Sequence, residues 1–223
     1  MANYAVDPAV LAPFVPPNTE LDSHDGITYV SLVGFLFKDT RLLGVPVPFH
    51  RDFEEVNLRF YVKHHDGKEW KRGVTFISEI VPKPMLTLVA NTVYNENYRT
   101  LPMRHHWSSD GESMETRYDW KLAGKWHTLA VTTDVIAQPI AEGSAYEFIT
   151  EHYWGYTSAG KDSSFEYEVR HPRWEVYPVQ NYRVEADFGA LYGPDFAFLN
   201  GATPHSVFLA EGSEISVENK RRV

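Results

Sequence analysis

The 223-residue sequence contains no cysteine, which excludes disulfide bonds, thiolate metal sites and a cysteine nucleophile. Positive charge is also scarce, since 21 Lys and Arg residues face 30 Asp and Glu residues and the formal net charge is −9. An acidic chain without a basic block is poorly suited to bind a phosphate backbone, so we expect no nucleic-acid partner. The longest nearly apolar run, residues 29–37, is half a membrane span at most, so we expect no membrane partner.

Motifs for secretion, metals and nucleotides are absent from the sequence as well. The first ten residues have no basic segment followed by an apolar one, so we expect no signal peptide and a cytoplasmic protein. No HExxH, GxxxxGK[ST] or GxGxxG pattern occurs. The adjacent pairs His64-His65 and His105-His106 would point to opposite faces of a strand, so neither pair binds a metal by itself. We therefore expect no metal and no cofactor.

Aromatic residues make up 14% of the chain and apolar residues 43%, which is typical of a folded globular protein. Short β-branched and aromatic runs bounded by glycine or proline predict a strand-rich fold. The predicted strands cover residues 27–37, 53–62, 73–81, 114–122, 125–133, 152–157, 165–170, 182–188, 205–210 and 214–217. Strands and helices do not alternate, so we expect one domain over 1–223 that is mainly β, with an antiparallel sheet closed or nearly closed into a barrel.

Two segments favour helices that would pack on this sheet. Pro84 suits the first turn of a helix predicted over 84–99, in which apolar residues at helical spacing, such as Leu88, would form one buried stripe. A capping-box pattern that begins at Ser144 predicts a second helix over 144–151. Helix is therefore expected to be the minor component of the fold.

The predicted strand 53–62 separates its side chains into two faces of different chemistry. The even-numbered residues after Glu54 are apolar and predict contact with the core. The odd-numbered face is polar, because it carries Glu55, Asn57 and Arg59. One interpretation is a solvent-exposed face on which Glu55 and Arg59 form an ion pair. The other is a polar lining of the interior, where Arg59 would bind a ligand carboxylate or phosphate through two hydrogen bonds.

Several motifs, in order along the chain, resemble the bacterial YqjF-like family of uncharacterised proteins, DUF2071. They are DG at 25–26 with the VSLVGF strand after it, FEEVNLRFYV at 53–62, GVTF at 73–76, ANTVYNENY at 90–98, EHYWGY at 151–156 and HPRW at 171–174. That family is similar to the acetoacetate decarboxylase-like superfamily. The resemblance therefore implies a cone-shaped antiparallel β-barrel with a central cavity and a few peripheral helices.

In acetoacetate decarboxylases a lysine forms a Schiff base with a ketone, and a neighbouring lysine lowers its pKa. The resemblance implies that Glu55 corresponds to an active-site glutamate and that the lysine pair falls on Tyr98 and Arg99. The second glutamate of those enzymes falls near Tyr29. Residues 84–120 contain no lysine, and arginine does not supply a neutral amine. We therefore expect no decarboxylation through a Schiff-base lysine.

Two further segments supply candidate ligand-binding residues. The candidates in the first segment are Tyr94, Glu96, Tyr98 and Arg99. They follow the predicted helix, so they would lie at the mouth of the cavity or, alternatively, form a solvated helix end. On the predicted strand 152–157, His152, Trp154 and Tyr156 share one face, which indicates either barrel core or a ligand-binding stripe. In the second case His152 would be the titratable group.

Three functions fit these observations. The first is a small-molecule-binding β-barrel protein without the Schiff-base lysine, whose ligand is a small organic acid or an aromatic or quinone-like metabolite. The second is an enzyme that acts on a small organic acid or ketone by acid–base catalysis through Glu55 or His152. The third is a non-catalytic interaction protein whose barrel is filled by its own side chains. The implied fold also allows a homo-oligomer, although no sequence feature identifies an interface.

Overall fold

The computed structural model describes residues 1–42, 45–46 and 51–223, without the side chains of residues 41, 42, 45, 46, 93 and 94. Its strands are β1 (Ala2–Val6), β2 (Glu20–Leu21), β3 (Thr28–Phe37), β4 (Arg41–Leu42), β5 (Val45–Pro46), β6 (Phe53–His65), β7 (Trp70–Val81), β8 (Tyr98–Thr100), β9 (Met103–Ser109), β10 (Ser113–Leu122), β11 (Lys125–Asp134), β12 (Gln138–Pro139), β13 (Trp154–Ser158), β14 (Ser164–Arg170), β15 (Glu175–Tyr177), β16 (Val179–Glu185), β17 (Ser206–Val207), β18 (Leu209–Ala210), β19 (Ser216–Val217) and β20 (Arg221–Arg222). The α-helices are α1 (Pro8–Leu11), α2 (Pro84–Val89), α3 (Ala145–Thr150) and α4 (Phe188–Tyr192), with short 3-10 helices at Ala12–Phe14 and Pro194–Leu199 and a π-helical turn at Ala90–Tyr94. The prediction of a mainly β fold with a few short helices is confirmed.

The strands form one large sheet and three smaller ones. The large sheet has the order β17-β1-β3-β6-β7-β13-β14-β19. Three further strands pair with it: β2 with β6, β8 with β7 and β20 with β14. A second sheet has the order β16-β11-β10-β9, a third has β12-β15-β18, and β4 pairs with β5. Most pairs are antiparallel, but β8 and β13 run parallel to β7. Among the described strand pairs the large sheet has two free ends, so the closed cone-shaped barrel stays a prediction.

A β-bulge sets the faces of β7. The register of the β6–β7 pair shifts after Leu58, so that Asn57 pairs with Glu79 while Arg59 pairs with Phe76. One extra residue in a strand reverses the alternation of its side chains, and cross-strand partners share a face. The bulge therefore places Glu79 on the same side of the sheet as the polar face of β6.

The apolar face of β6 forms the main core. Val56, Leu58 and Phe60 are fully buried and belong to one cluster with Tyr118 of β10. The four-stranded sheet comes close to β3 at Gly34, where a β-carbon would lie 2.8 Å from the Tyr118 ring. The predicted contact of this face with the core is confirmed.

The predicted hairpin and the second predicted helix are present. β10 and β11 pair in register and are joined by a turn at Ala123-Gly124, where both residues have positive φ. Such φ angles belong to the two-residue turns that match the twist of antiparallel strands. In α3, Oγ of Ser144 accepts a hydrogen bond from the backbone N–H of Glu147 over 3.2 Å, which is the predicted cap.

The helix predicted over 84–99 is shorter than expected. α2 ends at Val89, and a π-helical turn over Ala90–Tyr94 follows it. The residue that caps this turn, Asn95, has a left-handed φ of 59°. Leu88 is 55% exposed, so the predicted buried stripe is wrong there. The reason is tertiary, because Tyr98–Thr100 pairs with β7 and this competes with continued helix. None of the described helices has the length and apolar character needed to cross a membrane.

Several described strands were not predicted, of which β1 and β9 are the longest, and one predicted strand begins later than expected. Ala2–Val6 and Met103–Ser109 form β1 and β9, although neither segment has a clear strand pattern in the sequence. The strand predicted over 152–157 begins at Trp154. His152 therefore precedes the strand, and the predicted alternation does not extend to it.

Candidate functional site

The polar face of β6 is buried, so the solvent-exposed interpretation is wrong. Glu55 and Asn57 are each 1% exposed, and Tyr61 is fully buried. Tyr61 shares a second core with Phe148 of α3 and with Phe208, which follows β17. The polar side chains of β6 thus lie beneath other parts of the chain.

A group of three carboxyls and two phenols converges at one end of this face; we call it the carboxyl cluster. Its members are Glu55 of β6, Glu79 of β7, Glu96 in the loop before β8, Tyr98 of β8 and Tyr167 of β14. The Tyr98 hydroxyl donates to Oε2 of Glu55 over 3.1 Å and also hydrogen-bonds Glu79. Tyr167 hydrogen-bonds Glu96. Four segments of the chain, β6, β7, residues 96–98 and β14, therefore meet at this point.

Asn57 supports the cluster from the neighbouring position on β6. Its Nδ2 donates to Oε1 of Glu55 over 3.0 Å. Glu55 thus accepts a hydrogen bond on each carboxylate oxygen, one from Asn57 and one from Tyr98. Such bonds favour the charged form of a carboxyl and fix its orientation.

A glycine positions Tyr167 in the cluster. Gly155 of β13 is the cross-strand partner of Tyr167, and a β-carbon at Gly155 would lie 2.1 Å from Cζ of the Tyr167 ring. The phenol ring therefore occupies the space that any other side chain at residue 155 would need. This close contact directs the hydroxyl of Tyr167 toward Glu96.

Exposure differs within the cluster. Glu55 and Glu79 are 1% and 3% exposed. Glu96, Tyr98 and Tyr167 are only partly buried. The cluster therefore has a buried floor, formed by Glu55 and Glu79, and a partly buried rim.

Burial sets the proton affinity of the cluster. Loss of hydration, only partly offset by its hydrogen bonds, raises the pKa of Glu55 to about 7. Burial likewise raises the pKa of Glu96 to about 7. Burial and repulsion from the other two carboxyls raise the pKa of Glu79 well above its usual range. Burial also raises the pKa of Tyr98 and Tyr167 well above the usual value. Glu55 and Glu96 therefore exchange protons near neutral pH, while both phenols stay protonated.

Three buried polar atoms near the cluster have no hydrogen-bond partner among the described residues. They are Oδ1 of Asn57, Oε2 of Glu79 and Nε of Arg59. Buried polar groups are nearly always paired, with protein, water or ligand. The cluster therefore has hydrogen-bonding capacity that the chain itself does not use.

Arg59 lies between this cluster and a second polar group further along β6. Its Nη2 donates to the backbone oxygen of Ile149 over 3.3 Å. Its guanidinium carbon is 5.8 Å from the centroid of the Tyr61 ring. Its charge weakly lowers the pKa of Glu55 and also acts on His152. Arg59 therefore forms no close ion pair with Glu55, contrary to one of the two interpretations of this face.

The second polar group is centred on His152. The ring packs against Tyr61 and Phe148, with centroid distances of 4.7 and 4.9 Å. Oδ2 of Asp22 lies 3.3 Å from Nε2 of His152 and accepts a hydrogen bond from Nε of Arg72 over 2.6 Å. Burial lowers the pKa of His152. Hydrogen bonds from His152 and Arg72 outweigh burial and hold the pKa of Asp22 at about 2.

Glu55 and His152 do not lie in one reaction centre. The His152 ring contacts Tyr61, which is six residues beyond Glu55 on the same strand. Six extended residues span about 20 Å. The two residues proposed for acid–base chemistry therefore belong to separate groups on one face, and only Glu55 lies in the carboxyl cluster.

The structure places the remaining candidates away from the cluster. Arg99 pairs with Ile80 on the opposite face of the sheet, and its Nη1 donates to the backbone oxygen of Leu191. Trp154 packs on the main core, and Nζ of Lys71 lies 4.2 Å from its ring centroid. The two other candidates are Tyr29, which is buried near Phe148, and Tyr94, whose side chain is outside the described residues.

Several residues of the two polar groups were missed at the sequence level. They are Glu79, Tyr167, Asp22 and Arg72. Glu79 could have been noticed, because it is the single charged residue in the predicted strand GVTFISEIV at 73–81. A carboxylate within such a strand is costly unless it is paired or protonated. The other three residues have no comparable signal.

Two surface depressions lie elsewhere. One, of about 820 Å³, is lined by residues of the β6–β7 turn and of β20, including His64, His65 and Arg221. The other, of about 420 Å³, is lined by Lys38, His105 and their neighbours. Within residues 1–42, 45–46 and 51–223, no group of three His, Asp or Glu side chains could hold a metal ion. The carboxyl cluster is therefore distinct from both depressions and from a metal site.

Among solved structures, the chain is similar to an acetoacetate decarboxylase-like enzyme from Sphingomonas wittichii RW1, with a TM-score of 0.58 and 14% identity over 99% of this chain and 86% of that chain. It is also similar to the enduracididine biosynthesis enzyme MppR complexed with pyruvate, with a TM-score of 0.54 and 14% identity over 85% and 77% of the two chains. An acetoacetate decarboxylase from Legionella pneumophila subsp. pneumophila str. Philadelphia 1 gives a TM-score of 0.52 and 11% identity over 82% and 69%. At such low identity these similarities show the fold alone.

Sequence comparison identifies the family. The uncharacterized protein YqjF of Bacillus subtilis (strain 168) is 27% identical over 175 residues, which are 78% of this chain and 69% of the relative. The model of the DUF2071 family, described as an uncharacterized conserved protein (COG2071), matches residues 1–214. The chain therefore belongs to the DUF2071 family and has an acetoacetate decarboxylase-like fold.

Proposed function

We propose that this chain binds a small organic molecule at the carboxyl cluster, and that it does so without a Schiff-base lysine. One observation carries the proposal: Glu79 Oε2 and Asn57 Oδ1 are buried acceptors that lack a partner among the described residues, next to the hydrogen-bonded carboxyl of Glu55. An unpaired buried acceptor costs about 1–3 kcal/mol. A ligand that donates hydrogen bonds to these oxygens would recover that free energy.

The buried lysine of the described chain supports the second half of the proposal. Nζ of Lys71 lies 3.2 Å from Oδ2 of Asp66 and 3.4 Å from Oε1 of Glu166, so this amine is held between two carboxylates. Lys71 pairs with His64, seven residues beyond Asn57, which corresponds to about 23 Å of strand. We infer that the amine of Lys71 does not reach the carboxyl cluster. Lys220 does act there, since its charge lowers the pKa of Glu96, and its Nζ lies 4.0 Å from the centroid of the Phe165 ring.

The closed barrel is part of this proposal. The large sheet would curve around the carboxyl cluster as the cone that the superfamily resemblance implies. The second core, which contains Tyr61 and Phe148, would cover one end, and the rim residues Tyr98 and Tyr167 would border the opening. This arrangement supports a ligand of modest size that reaches the buried carboxyls past two phenol rings.

Ligand binding is tested by a thermal-shift screen of small ketones, carboxylates, amines and phenols. A ligand that binds only the folded state stabilises it by about 2.7 kcal/mol at a hundredfold excess over Kd. We expect a positive ligand to lose its shift in Asn57→Ala and Glu79→Gln. It should keep its shift in Glu112→Gln, which alters an exposed turn. A thermal shift that persists in both cluster variants would place the binding site outside the carboxyl cluster. A screen without any thermal shift would favour the interaction protein whose barrel is filled by its own side chains.

The absence of a Schiff base is tested separately by reductive trapping. The protein is incubated with acetone or pyruvate and sodium borohydride, and the products are analysed by peptide mass mapping. We expect no adduct on a lysine beyond the level of a denatured control. A specific adduct on Lys71 or any other lysine would overturn this half of the proposal.

A second candidate function, acid–base catalysis, is favoured by the state of Glu55. Burial raises the pKa of this carboxyl to about 7, and its two hydrogen bonds fix its orientation. General acid–base catalysis is most efficient when the pKa of the group is near the working pH. Glu55, as a carboxylate, would then remove a proton next to a ligand carbonyl, which leaves a neutral Glu55 and an enolate. The Tyr98 hydroxyl would stabilise the charge of Glu55 before the transfer.

Deuterium exchange tests this candidate without knowledge of the natural substrate. Small ketones and keto acids are incubated with the protein in D2O, and loss of their α-protons is followed by ¹H NMR. We expect faster exchange with the wild type than with Glu55→Gln, while Glu112→Gln behaves as the wild type. Equal exchange rates for the wild type and Glu55→Gln would exclude this chemistry for the compounds used and leave binding alone.

A further inference from the structure

The carboxyl cluster has an excess of acidic groups over cationic ones. Three carboxyls meet there, and Glu55 and Glu96 both raise the pKa of Glu79 by repulsion. The cations that act on them are Arg59, which weakly lowers the pKa of Glu55, and Lys220, which lowers that of Glu96. Arg59 donates to a backbone oxygen instead. Once its three carboxyls are ionised, the cluster therefore carries more negative than positive charge.

The unused hydrogen-bonding atoms of the cluster are acceptors. Oε2 of Glu79 and Oδ1 of Asn57 are buried without a partner in the described part of the chain. Asn57 is an amide, so its free oxygen is an observation independent of the acidic groups. Two acceptors near a carboxylate are best satisfied by a ligand group with several N–H donors.

The rim of the carboxyl cluster presents two aromatic rings that could contact a bound ligand. The rings of Tyr98 and Tyr167 stand beside Glu55 and Glu96 and are partly exposed. An organic cation is attracted to the face of an aromatic ring as well as to carboxylates. A carboxylate ligand would instead meet repulsion from all three carboxyls once they lose their protons.

We propose that the ligand of the carboxyl cluster is an organic cation, a molecule with a protonated primary amine or a guanidinium group that donates hydrogen bonds to Glu79 Oε2 and Asn57 Oδ1. This inference rests on the proposed binding function and names the class of ligand. It differs from the organic acid or quinone-like metabolite expected from the sequence, because those ligands offer no N–H donors.

Binding of a cation to this cluster releases protons. A protonated carboxyl and an ammonium group become a carboxylate–ammonium pair plus one proton in solution, so charge and atoms balance. The groups that face the site are Glu55, Glu79, Glu96, Tyr98, Tyr167, Arg59 and Lys220. Both phenols stay protonated at neutral pH, so the carboxyls supply the proton. Binding should therefore tighten as the pH rises.

The test uses probes of similar shape and different charge. Benzylamine and agmatine are compared with benzyl alcohol and benzoate by thermal shift and isothermal titration calorimetry at pH 6, 7 and 8. All measurements contain 0.3 M NaCl, which screens weak attraction to the acidic surface. We expect binding of at least one amine, about tenfold tighter at pH 8 than at pH 6, and no binding of the alcohol or the acid.

Variants show whether the amine binds at the cluster. Glu79→Gln should weaken the binding of the amine at least tenfold. Tyr167→Phe is a second variant, which keeps the ring and should weaken amine binding about threefold. Glu112→Gln, on an exposed turn, should bind as the wild type does. Binding of benzoate or benzyl alcohol that depends on Glu79 would overturn the cation inference but leave the binding function standing. No shift with either amine would overturn the inference, and no ligand from the broader screen would overturn the binding function too.

Discussion

The hydroxyl of Tyr98 donates a hydrogen bond to Oε2 of Glu55 over 3.1 Å, across the strand β7 that lies between them. Tyr98 belongs to β8, which runs parallel to β7, and Glu55 belongs to β6, which runs antiparallel to it. Adjacent strands are about 4.8 Å apart, so the two side chains meet above the intervening strand, at Glu79. This one bond links β6 and β8 across β7, at the centre of the carboxyl cluster.

Replacement of Tyr98 by Phe is expected to raise the pKa of Glu55 further and to cost about 1 kcal/mol of stability. The lost hydroxyl stabilises the charged form of Glu55, and without it a buried acceptor is unpaired. Carbon-13 NMR of labelled glutamate side chains and urea denaturation measure the two effects. Tyr156→Phe is the control, because that hydroxyl donates to Glu166 over 2.8 Å instead. An unchanged titration of Glu55 in Tyr98→Phe would contradict the assigned contact.

The contribution of the carboxyl cluster to the free energy of unfolding is expected to fall as the pH rises from 5 to 8. The pKa of Glu55 is about 7 in the folded protein against an ordinary value of 4.5, so the folded state keeps a proton that the unfolded chain has released. Stability decreases with pH wherever the folded state binds more protons. The Glu79→Gln variant should have a flatter pH profile, because burial and repulsion raise the pKa of Glu79 well above its usual value and the substitution removes that proton.

Urea denaturation at pH 5, 6, 7 and 8 measures this profile. The control is Glu112→Gln, in which an exposed carboxyl is neutralised with the same change in net charge. It should keep the wild-type slope. A Glu79→Gln profile as steep as that of the wild type would show that the cluster does not hold protons as described.

Gly155→Ala is expected to displace the Tyr167 ring and to cost about 1–3 kcal/mol through overpacking. The added carbon would lie 2.1 Å from Cζ of that ring, so one of the two groups must move. A double-mutant cycle with Tyr167→Ala measures the coupling by urea denaturation. The cost of Gly155→Ala should largely disappear when residue 167 is already alanine. Additive effects of the two substitutions would mean that the ring does not occupy this space.

Asp22→Asn is expected to lower the free energy of unfolding by about 1–3 kcal/mol at pH 7. The substitution leaves His152 and Arg72 without their shared carboxylate. The pKa of Asp22 is about 2 when folded against an ordinary 3.8, so its contribution is present above pH 4 and is lost as the pH falls through 2. Urea denaturation at pH 7 and pH 3 should show a smaller difference from the wild type at the lower pH. Asp25→Asn, which changes an exposed carboxylate, should have little effect at either pH. An equal loss at both pH values would place the cause outside this ion pair.

The candidate site was only partly accessible from the sequence. The alternation of polar and apolar side chains along residues 53–62 predicted the polar face of β6, and hence that Glu55 and Asn57 are neighbours. It did not give Glu79, because the bulge in β7 reverses which of its residues face that side. Arg99 was expected at the site, yet β8 pairs in parallel with β7 and directs Arg99 to the opposite face while Tyr98 faces the cluster.

The sequence by itself determined the mainly β fold, the family and the chemistry of single segments, because these depend on local patterns of side chains. Period-two alternation, the turn at Ala123-Gly124 and the Ser144 cap each act within a few residues. Only the tertiary structure decided which polar residues share a site. Glu55, Glu79 and Tyr167 meet through strand register, a bulge and the missing side chain of Gly155, and each of these depends on contacts between segments distant in the chain.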